Sequence, residues 1–419
     1  MINISSIFLL ITVTLFSFFW ERRVKPLFIF NLWWLLWVSM SQLNLMNFYE
    51  VIDEIYAHIS ISIFVFNAMY VVVSVFLCKI KINLLGGGEN KLWVFCKQKS
   101  LIFLFSYIAL TMLLIIRMIA LIDADLSQYW KARFIYFSIP IGSESQIISL
   151  FPSAMLATLY QSLSFFIIVF FMIGLAENNK KIIFTSLIAI MSLSILTTGR
   201  EIIIFFVLYV IFSFKTKAIY KNLKTIFFVA VFILGVSIFR GSVGTLMYAF
   251  MSYFTGSIAY LNVLLHSNID NNNLYYGQVI LSQVFSFIYN IYGLFTQGEL
   301  VKPFSVIGNN LMEFQRISDS SKFYDYYNAI PTWYYFFYSD FGIWGFYIYP
   351  ILIALLFGVL YRFLSIHIKA HCVLAAFLET CLLWSIFKPM LFEPSVIMVI
   401  LFFILILGSK SKLCQLPSV

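Results

Sequence analysis

The sequence predicts an all-α protein, a polytopic membrane bundle of about eleven transmembrane helices with one large loop. Three observations carry this. The 419 residues are 62% hydrophobic and only 11% charged, whereas soluble domains run nearer about half apolar and a quarter charged. The mean hydropathy of +0.95 extends along the whole length, which excludes a soluble domain on a single anchor. The apolar runs have no period-2 alternation, so a barrel is not expected, and open backbone cannot face lipid.

A bilayer core of roughly 30 Å requires about 20 helical residues. The spans expected on that basis are 4–20, 27–46, 59–78, 101–121, 150–175, 182–198, 202–214, 225–239, 341–363, 372–390 and 395–408. The first has no preceding Lys or Arg and no small-residue cleavage site, and its positive cluster (Arg22, Arg23, Lys25) follows it. It reads as a retained span rather than a signal peptide. Three regions result: 1–239 with eight spans, 240–340 as the large loop, and 341–419 with three spans. Apolar patches at 246–265 and 279–295 are either interfacial helices or a further pair of spans, which would make twelve to thirteen.

Charge sets the orientation. With the loops alternated, 18 of the 27 Lys and Arg residues fall on one side and eight on the other. The basic side is the inner one. This places the N-terminus outside, the C-terminus inside, and loop 240–340 outside. The net charge of +9 therefore reflects membrane orientation and not nucleic-acid binding. No cysteine falls in an outside segment, so no disulfide framework is expected there.

The candidate site residues follow from that topology. Spans 202–214 and 225–239 are short, and they put Arg200 and Arg240 at their outer ends. Gly199 suits the left-handed turn that ends a helix, Gly241 follows Arg240, and the next helix opens with unpaired N–H groups that favour an anion. Two guanidiniums there suit a lipid pyrophosphate, gripped bidentately; the alternative is pairing with carboxylates such as Glu201. Arg133 is a further phosphate or sugar contact, and Arg316 a contact within the large loop. His266 would suit a general base or a substrate contact. Arg117 and Glu379 are expected to pair structurally, and Lys388-Pro389 and Glu393-Pro394 to turn the last hairpin. Asp123-Ala124-Asp125 has metal-motif spacing, but on the outer face it reads as solvated acids. The Gly86–Gly88 run lacks the phosphate-loop ending.

Asn328 to Gly345 is the most distinctive segment, with Thr332, Trp333, Tyr335, Asp340, Gly342 and Gly345 inside it. Clustered Trp and Tyr fit an interfacial belt, and they also fit a groove that stacks on sugar rings. Asp340 is expected at the water–lipid boundary as a sugar-orienting group or base.

Asn328, Thr332, Asp340-Phe341-Gly342 and Gly345 resemble the N-x-x-T…D-F-G-x-x-G signature of the Wzy-type oligosaccharide repeat-unit polymerases, with a looser Asn–Thr spacing. Thr198-Gly199-Arg200 resembles that family's T-G-[ST]-R turn without its small residue, and Arg240-Gly241 its R-G. Tyr253 to Ala259 resembles its Y-x-T-G stretch, followed by Gly277. The resemblance covers about residues 182–363. It implies an O-antigen polymerase at the periplasmic face of a bacterial inner membrane. Such enzymes move a growing glycan from undecaprenyl pyrophosphate onto the next lipid-linked repeat, without metal or cofactor. Arg200, Arg240 and Asp340 would then act at the reacting bond. Arg133, His266, Arg316, Asn328, Thr332, Trp333 and Tyr335 would hold substrate, while Gly199, Gly241, Gly342 and Gly345 would shape the turns. The lipid-linked oligosaccharide and membrane lipid are the partners, with a chain-length regulator and flippase of the same pathway. An O-antigen ligase, a lipid-phosphosugar glycosyltransferase and a flippase are the competing functions.

Overall fold

The structure, a computed structural model, describes residues 3–21, 26–78, 91–123, 131, 135–136, 149–197, 246–267, 274–285, 288, 292, 315–320, 326–327, 332–362 and 369–408. The expected spans 202–214 and 225–239 lie outside the described residues.

The described chain is helical almost throughout. Helix α1 covers Ile4–Glu21, α2 Pro26–Gln42, α3 Asp53–Cys78, α4 Lys91–Leu121, α5 Ala154–Ala176 and α6 Lys180–Thr197. Within residues 240–340 lie α7 (Leu246–Ser267), α8 (Gln278–Val284) and a two-residue antiparallel pair, β1 (Gln315–Arg316) with β2 (Tyr326–Tyr327). Then come α9 (Trp333–Phe341), α10 (Gly345–Arg362), α11 (Lys369–Leu383) and α12 (Pro394–Gly408). Five helical stretches are long and apolar enough to cross a membrane: 53–77, 93–121, 159–176, 180–197 and 333–361. Ile4–Trp20, His371–Ile386 and Pro394–Leu405 are apolar but shorter.

Local chemistry moves several boundaries. Helix α2 stops at Gln42, four residues before the expected end at 46. Asn44 and Asn47 take left-handed backbone, which asparagine tolerates. The Asn44 side chain closes the turn by accepting the Phe48 N–H (2.8 Å) and donating to the Phe48 carbonyl (2.7 Å). Helix α3 begins at Asp53, not 59, because Asp53 and Glu54 are acids in a first turn, where the helix dipole favours them. Helix α4 begins at Lys91 instead of 101. At the α5–α6 turn, Asn179 Oδ1 accepts the Lys181 and Ile182 N–H groups. The Glu177 carboxylate beside it takes the Lys97 ammonium (2.7 Å) and the Trp93 indole N–H (3.3 Å).

Helices α3 and α10 run side by side in the same direction. His58 meets Tyr347 near their starts, and Tyr70 meets Phe357 lower down. A Cβ on Gly358 would come within 2.9 Å of the Val73 side chain, so the glycine sets how closely the two helices approach. Helix α2 packs across α1 and α3. Its buried Asn31 exchanges two amide hydrogen bonds with Asn67 of α3, both 2.8 Å, the kind of pairing that holds helices together in lipid.

The last expected span, 372–390, is interrupted. Helix α11 ends at Leu383 and gives way to 3-10 turns at Trp384–Ile386 and Met390–Phe392. Pro389 and Pro394 lack the amide hydrogens a continuous helix requires. Lys388 and Glu393 pair across this break at 3.1 Å, with side chains only 15% and 20% exposed.

Candidate functional site

The site begins at a tight reversal between α9 and α10. Gly342 has φ +58, a conformation open to glycine at little cost, and it ends α9. Three residues later α10 starts so close to α9 that a Cβ on Gly345 would lie 1.9 Å from the Phe337 carbonyl oxygen. Bare backbone is therefore required at Gly345. The packing that results stacks Tyr334 on Phe346 (4.8 Å) and Phe337 on Tyr349 (4.5 Å).

Asp340, one turn into that contact, is fully buried. Its Oδ1 accepts the Val279 N–H (2.8 Å), and its Oδ2 accepts the Ile280 N–H (3.2 Å) and the Tyr349 hydroxyl (2.5 Å). The Asp340 and Ser339 carbonyls accept the N–H groups of Tyr276 and Tyr275 (2.8 and 3.0 Å). Gly277 makes this return possible, with φ +90 at the start of α8. One carboxylate thus ties the segment 275–280 to α9 and α10. Asp340, expected as a sugar-orienting group or base, is buried, and its oxygens accept from donors on two other elements.

Trp333 and Tyr335, expected as substrate contacts, are buried as well. They are 2% and 6% exposed, so they present no ring face to a solvent-facing sugar groove. Trp333 lies against Phe30 and Trp34 of α2, and Tyr334 against Trp34. Trp34 is halfway along the 17-residue α2, and its indole N–H donates to Ser385 Oγ (2.9 Å). The start of α9 and the broken end of α11 therefore meet at the middle of α2. The aromatic run reads as an internal layer because neighbouring helices cover both of its faces.

Thr332 is fully buried, and its hydroxyl has no hydrogen-bond partner among the described residues. The same holds for both polar atoms of Gln283 in α8, 3% exposed. His266 is exposed in the last turn of α7, where its Nδ1 lies 2.8 Å from the Asn262 carbonyl. Arg316 is half exposed, bound to Asp319 (3.0 Å) and to the Ser318 carbonyl. Its segment docks on the α2–α3 turn, where Tyr49 N–H donates to the Ile317 carbonyl (2.7 Å) and Ser318 Oγ to the Asn47 carbonyl (2.6 Å). Arg200, Arg240, Arg133, Asn328, Gly199 and Gly241 lie outside the described residues. Arg117 stands on an exposed face of α4, while Glu379 accepts the Tyr361 hydroxyl at 2.8 Å, which replaces the expected Arg117–Glu379 pair.

Sequence reasoning missed Tyr349, Gln283 and the Lys388–Glu393 pair as members of this region. Nine residues separate Asp340 from Tyr349, and only the break at Gly342 brings them together. The one advance signal was the D-F-G-x-x-G spacing, whose first acid and two glycines build the joint. Among the described residues, no group of three or more His, Cys, Asp or Glu side chains is arranged to hold a metal. No protein family, curated protein or solved structure matches this chain.

Proposed function

We propose that this chain polymerises undecaprenyl-pyrophosphate-linked polysaccharide repeats at the periplasmic face of a bacterial inner membrane, as a bundle of about eleven spans with its N-terminus outside. The observation that supports this reading most is the joint at Asp340, Gly342 and Gly345. Three of the residues that carry the family resemblance build this joint: Asp340 binds the segment 275–280, and Gly342 and Gly345 form the reversal beside it. A loop held in register against the membrane suits an enzyme that must align a lipid-bound donor with a lipid-bound acceptor.

In this reading the bond from the donor's anomeric carbon to pyrophosphate breaks. A hydroxyl oxygen of the acceptor repeat bonds to that carbon and loses its proton, and undecaprenyl pyrophosphate departs. Arg200 and Arg240 stabilise the charge that develops on the leaving group, and fixed positive groups of this kind usually lower the barrier of such a transfer more than any other effect. Asp340 acts as a positioning residue. His266 is the better-placed proton acceptor: its Nδ1 is occupied by the Asn262 carbonyl, which leaves the Nε2 lone pair toward solvent. Loop 240–340 carries four basic and six acidic residues, so capture of the anionic lipid falls to local arginines rather than to the loop's overall field.

Lipopolysaccharide banding in a strain lacking the protein tests the reading. Core bearing a single repeat is the expected product, and bare core would assign ligation or flipping instead. Purified protein that fails to elongate a lipid-linked repeat in vitro would also refute it.

A further inference from the structure

The break between α11 and α12 joins two features that a membrane bundle rarely holds without a use: irregular backbone, and an ion pair withdrawn from water. Lys388 and Glu393 lie five positions apart, so on a continuous helix their side chains would point about 140° apart. The 3-10 turns at Trp384–Ile386 and Met390–Phe392, with Pro389 between them, bring the two to 3.1 Å. The side chains are mostly covered, yet both still reach the surface. A pair this far from water contributes little net stability, because each charge gives up hydration. Apolar side chains of similar size would serve the fold equally well. Stability alone therefore does not account for two charges here.

The pair adjoins the joint at Asp340. Phe392, next to Glu393, packs against Tyr349, whose hydroxyl binds Asp340, and the turn 390–392 lies against α8. Residues 246–285, 332–361 and 384–408 supply α7, α8, α9, the body of α10, the break and α12, and Lys388 is their only lysine or arginine. The N–H groups of Phe387, Lys388, Met390, Phe392 and Glu393 donate to carbonyls within the break. Recognition of an anion here therefore falls to the Lys388 ammonium, where Glu393 Oε1 now sits. At 3.1 Å that contact is longer than the roughly 2.7–2.9 Å of the strongest bonds of its kind. A pyrophosphate carries more negative charge and more acceptor oxygens than one carboxylate, so it competes for the ammonium.

We infer that Lys388 is a further phosphate-binding residue, and that Glu393 is its resident counter-ion, which yields the ammonium when a pyrophosphate group arrives at the membrane surface. The inference deepens the polymerase reading and rests on it for the identity of the ligand, the pyrophosphate of the lipid-linked donor. Lys388 then joins Arg200 and Arg240 in holding the leaving group.

Microscale thermophoresis on the full chain in phosphatidylcholine nanodiscs tests it, with farnesyl pyrophosphate and farnesol as probes. The wild type should bind the pyrophosphate about tenfold or more tighter than the alcohol. Lys388→Gln should weaken pyrophosphate binding about tenfold or more and leave farnesol binding unchanged. Glu393→Gln removes the competing carboxylate and should tighten pyrophosphate binding about threefold or more. A purely structural pair predicts otherwise. Both substitutions would then lower the melting temperature and neither would change the preference for pyrophosphate over farnesol, which overturns the inference. Should a single variant unfold, Lys388→Gln combined with Glu393→Gln keeps a neutral pair able to hydrogen-bond, and it must show the same loss as Lys388→Gln. Nanodiscs containing phosphatidylglycerol separate the sources of phosphate. If that lipid displaces the probe from the wild type but not from Lys388→Gln, the site takes a bilayer headgroup and the donor assignment falls. The in vitro polymerisation assay separates the two claims. Lys388-dependent pyrophosphate binding without polymerisation supports the lysine and defeats the polymerase, whereas polymerisation by Lys388→Gln at the wild-type rate and KM defeats the lysine alone.

Discussion

Replacing Asp340 by Asn tests whether this carboxylate holds the loop or does chemistry. The native group accepts hydrogen bonds from Val279 N–H, Ile280 N–H and Tyr349 O–H while fully buried. Asparagine keeps the shape and one acceptor oxygen, but it turns an NH2 toward a position already occupied by a donor. A buried group left unsatisfied costs about 1–3 kcal/mol, and a hydrogen bond to a charged acceptor contributes about 1.5–3 kcal/mol. Losing one backbone bond and weakening the others should therefore loosen the 275–284 segment by about 3 kcal/mol. At about 1.4 kcal/mol per tenfold, amide exchange at Val279 and Ile280 should quicken on the order of a hundredfold. Hydrogen-exchange mass spectrometry of the full chain in nanodiscs measures this directly. The expected result is faster exchange confined to α8 and its lead-in, with polymer formation falling in step. Tyr349→Phe, which removes only the hydroxyl donor, should produce a smaller shift in the same peptides. Lost polymerisation by Asp340→Asn with unchanged exchange protection would refute the positioning role and return Asp340 to the chemistry.

Gly345→Ala should abolish a monodisperse fold, because its Cβ would sit 1.9 Å from the Phe337 carbonyl and only a backbone shift relieves that contact; a wild-type size-exclusion profile would show that the reversal tolerates such a shift. A double-mutant cycle on Asn31→Ala and Asn67→Ala should yield a coupling of about 0.6–2 kcal/mol in thermal unfolding, and no coupling would mean that each amide finds other partners. Arg200→Lys should slow polymerisation about ten- to a hundredfold, nearly as much as Arg200→Ala, since lysine keeps charge but loses the bidentate grip; full activity of the lysine variant in the in vitro assay would remove the clamp. Reporter fusions should place residues 246–320 opposite the C-terminus, and a cytoplasmic signal from that loop would defeat the proposed reaction.

Hydropathy located a helix at each expected span that the described residues cover, although α3 and α4 begin six and ten residues earlier than expected. It failed at the ends, where single polar side chains decide. Asn44 stops α2 early by folding its amide onto Phe48, and no hydropathy window registers that bond. The apolar patches at 246–265 and 279–295 were legible as helices: α7 fills the first, and α8 covers the start of the second, 279–284. Burial of Trp333 and Tyr335 was not legible. An aromatic belt, a sugar platform and an internal layer share one composition, and only the neighbours supplied by α2 and α11 separate them. Asp340 was identified as important from its motif, but its role followed from partners 60 residues upstream that sequence spacing does not pair.

The middle of α2 explains why so much polar and irregular backbone is tolerated inside this bundle. Trp34 receives Trp333 and Tyr334 from the start of α9, and its indole N–H satisfies Ser385 where α11 breaks into 3-10 turns. Trp33 does the same for the Leu383 carbonyl at 3.1 Å. A helix end at membrane depth leaves carbonyls that lipid cannot satisfy, at a cost of several kcal/mol each. Trp33 supplies such a donor to the Leu383 carbonyl, Trp34 donates to the Ser385 hydroxyl, and both cover the break with apolar area. The break in turn frees Lys388 and Glu393 to pair at 3.1 Å, and Phe392 to pack against Tyr349, the residue that completes the Asp340 clamp. The segment 384–393 and the loop joint at 275–280 therefore share Tyr349 as a common neighbour. The turn at 390–392 also packs directly against α8, so Phe392→Ala should loosen the Val279 and Ile280 amides both through that contact and through Tyr349, and unchanged exchange at those amides would refute the coupling.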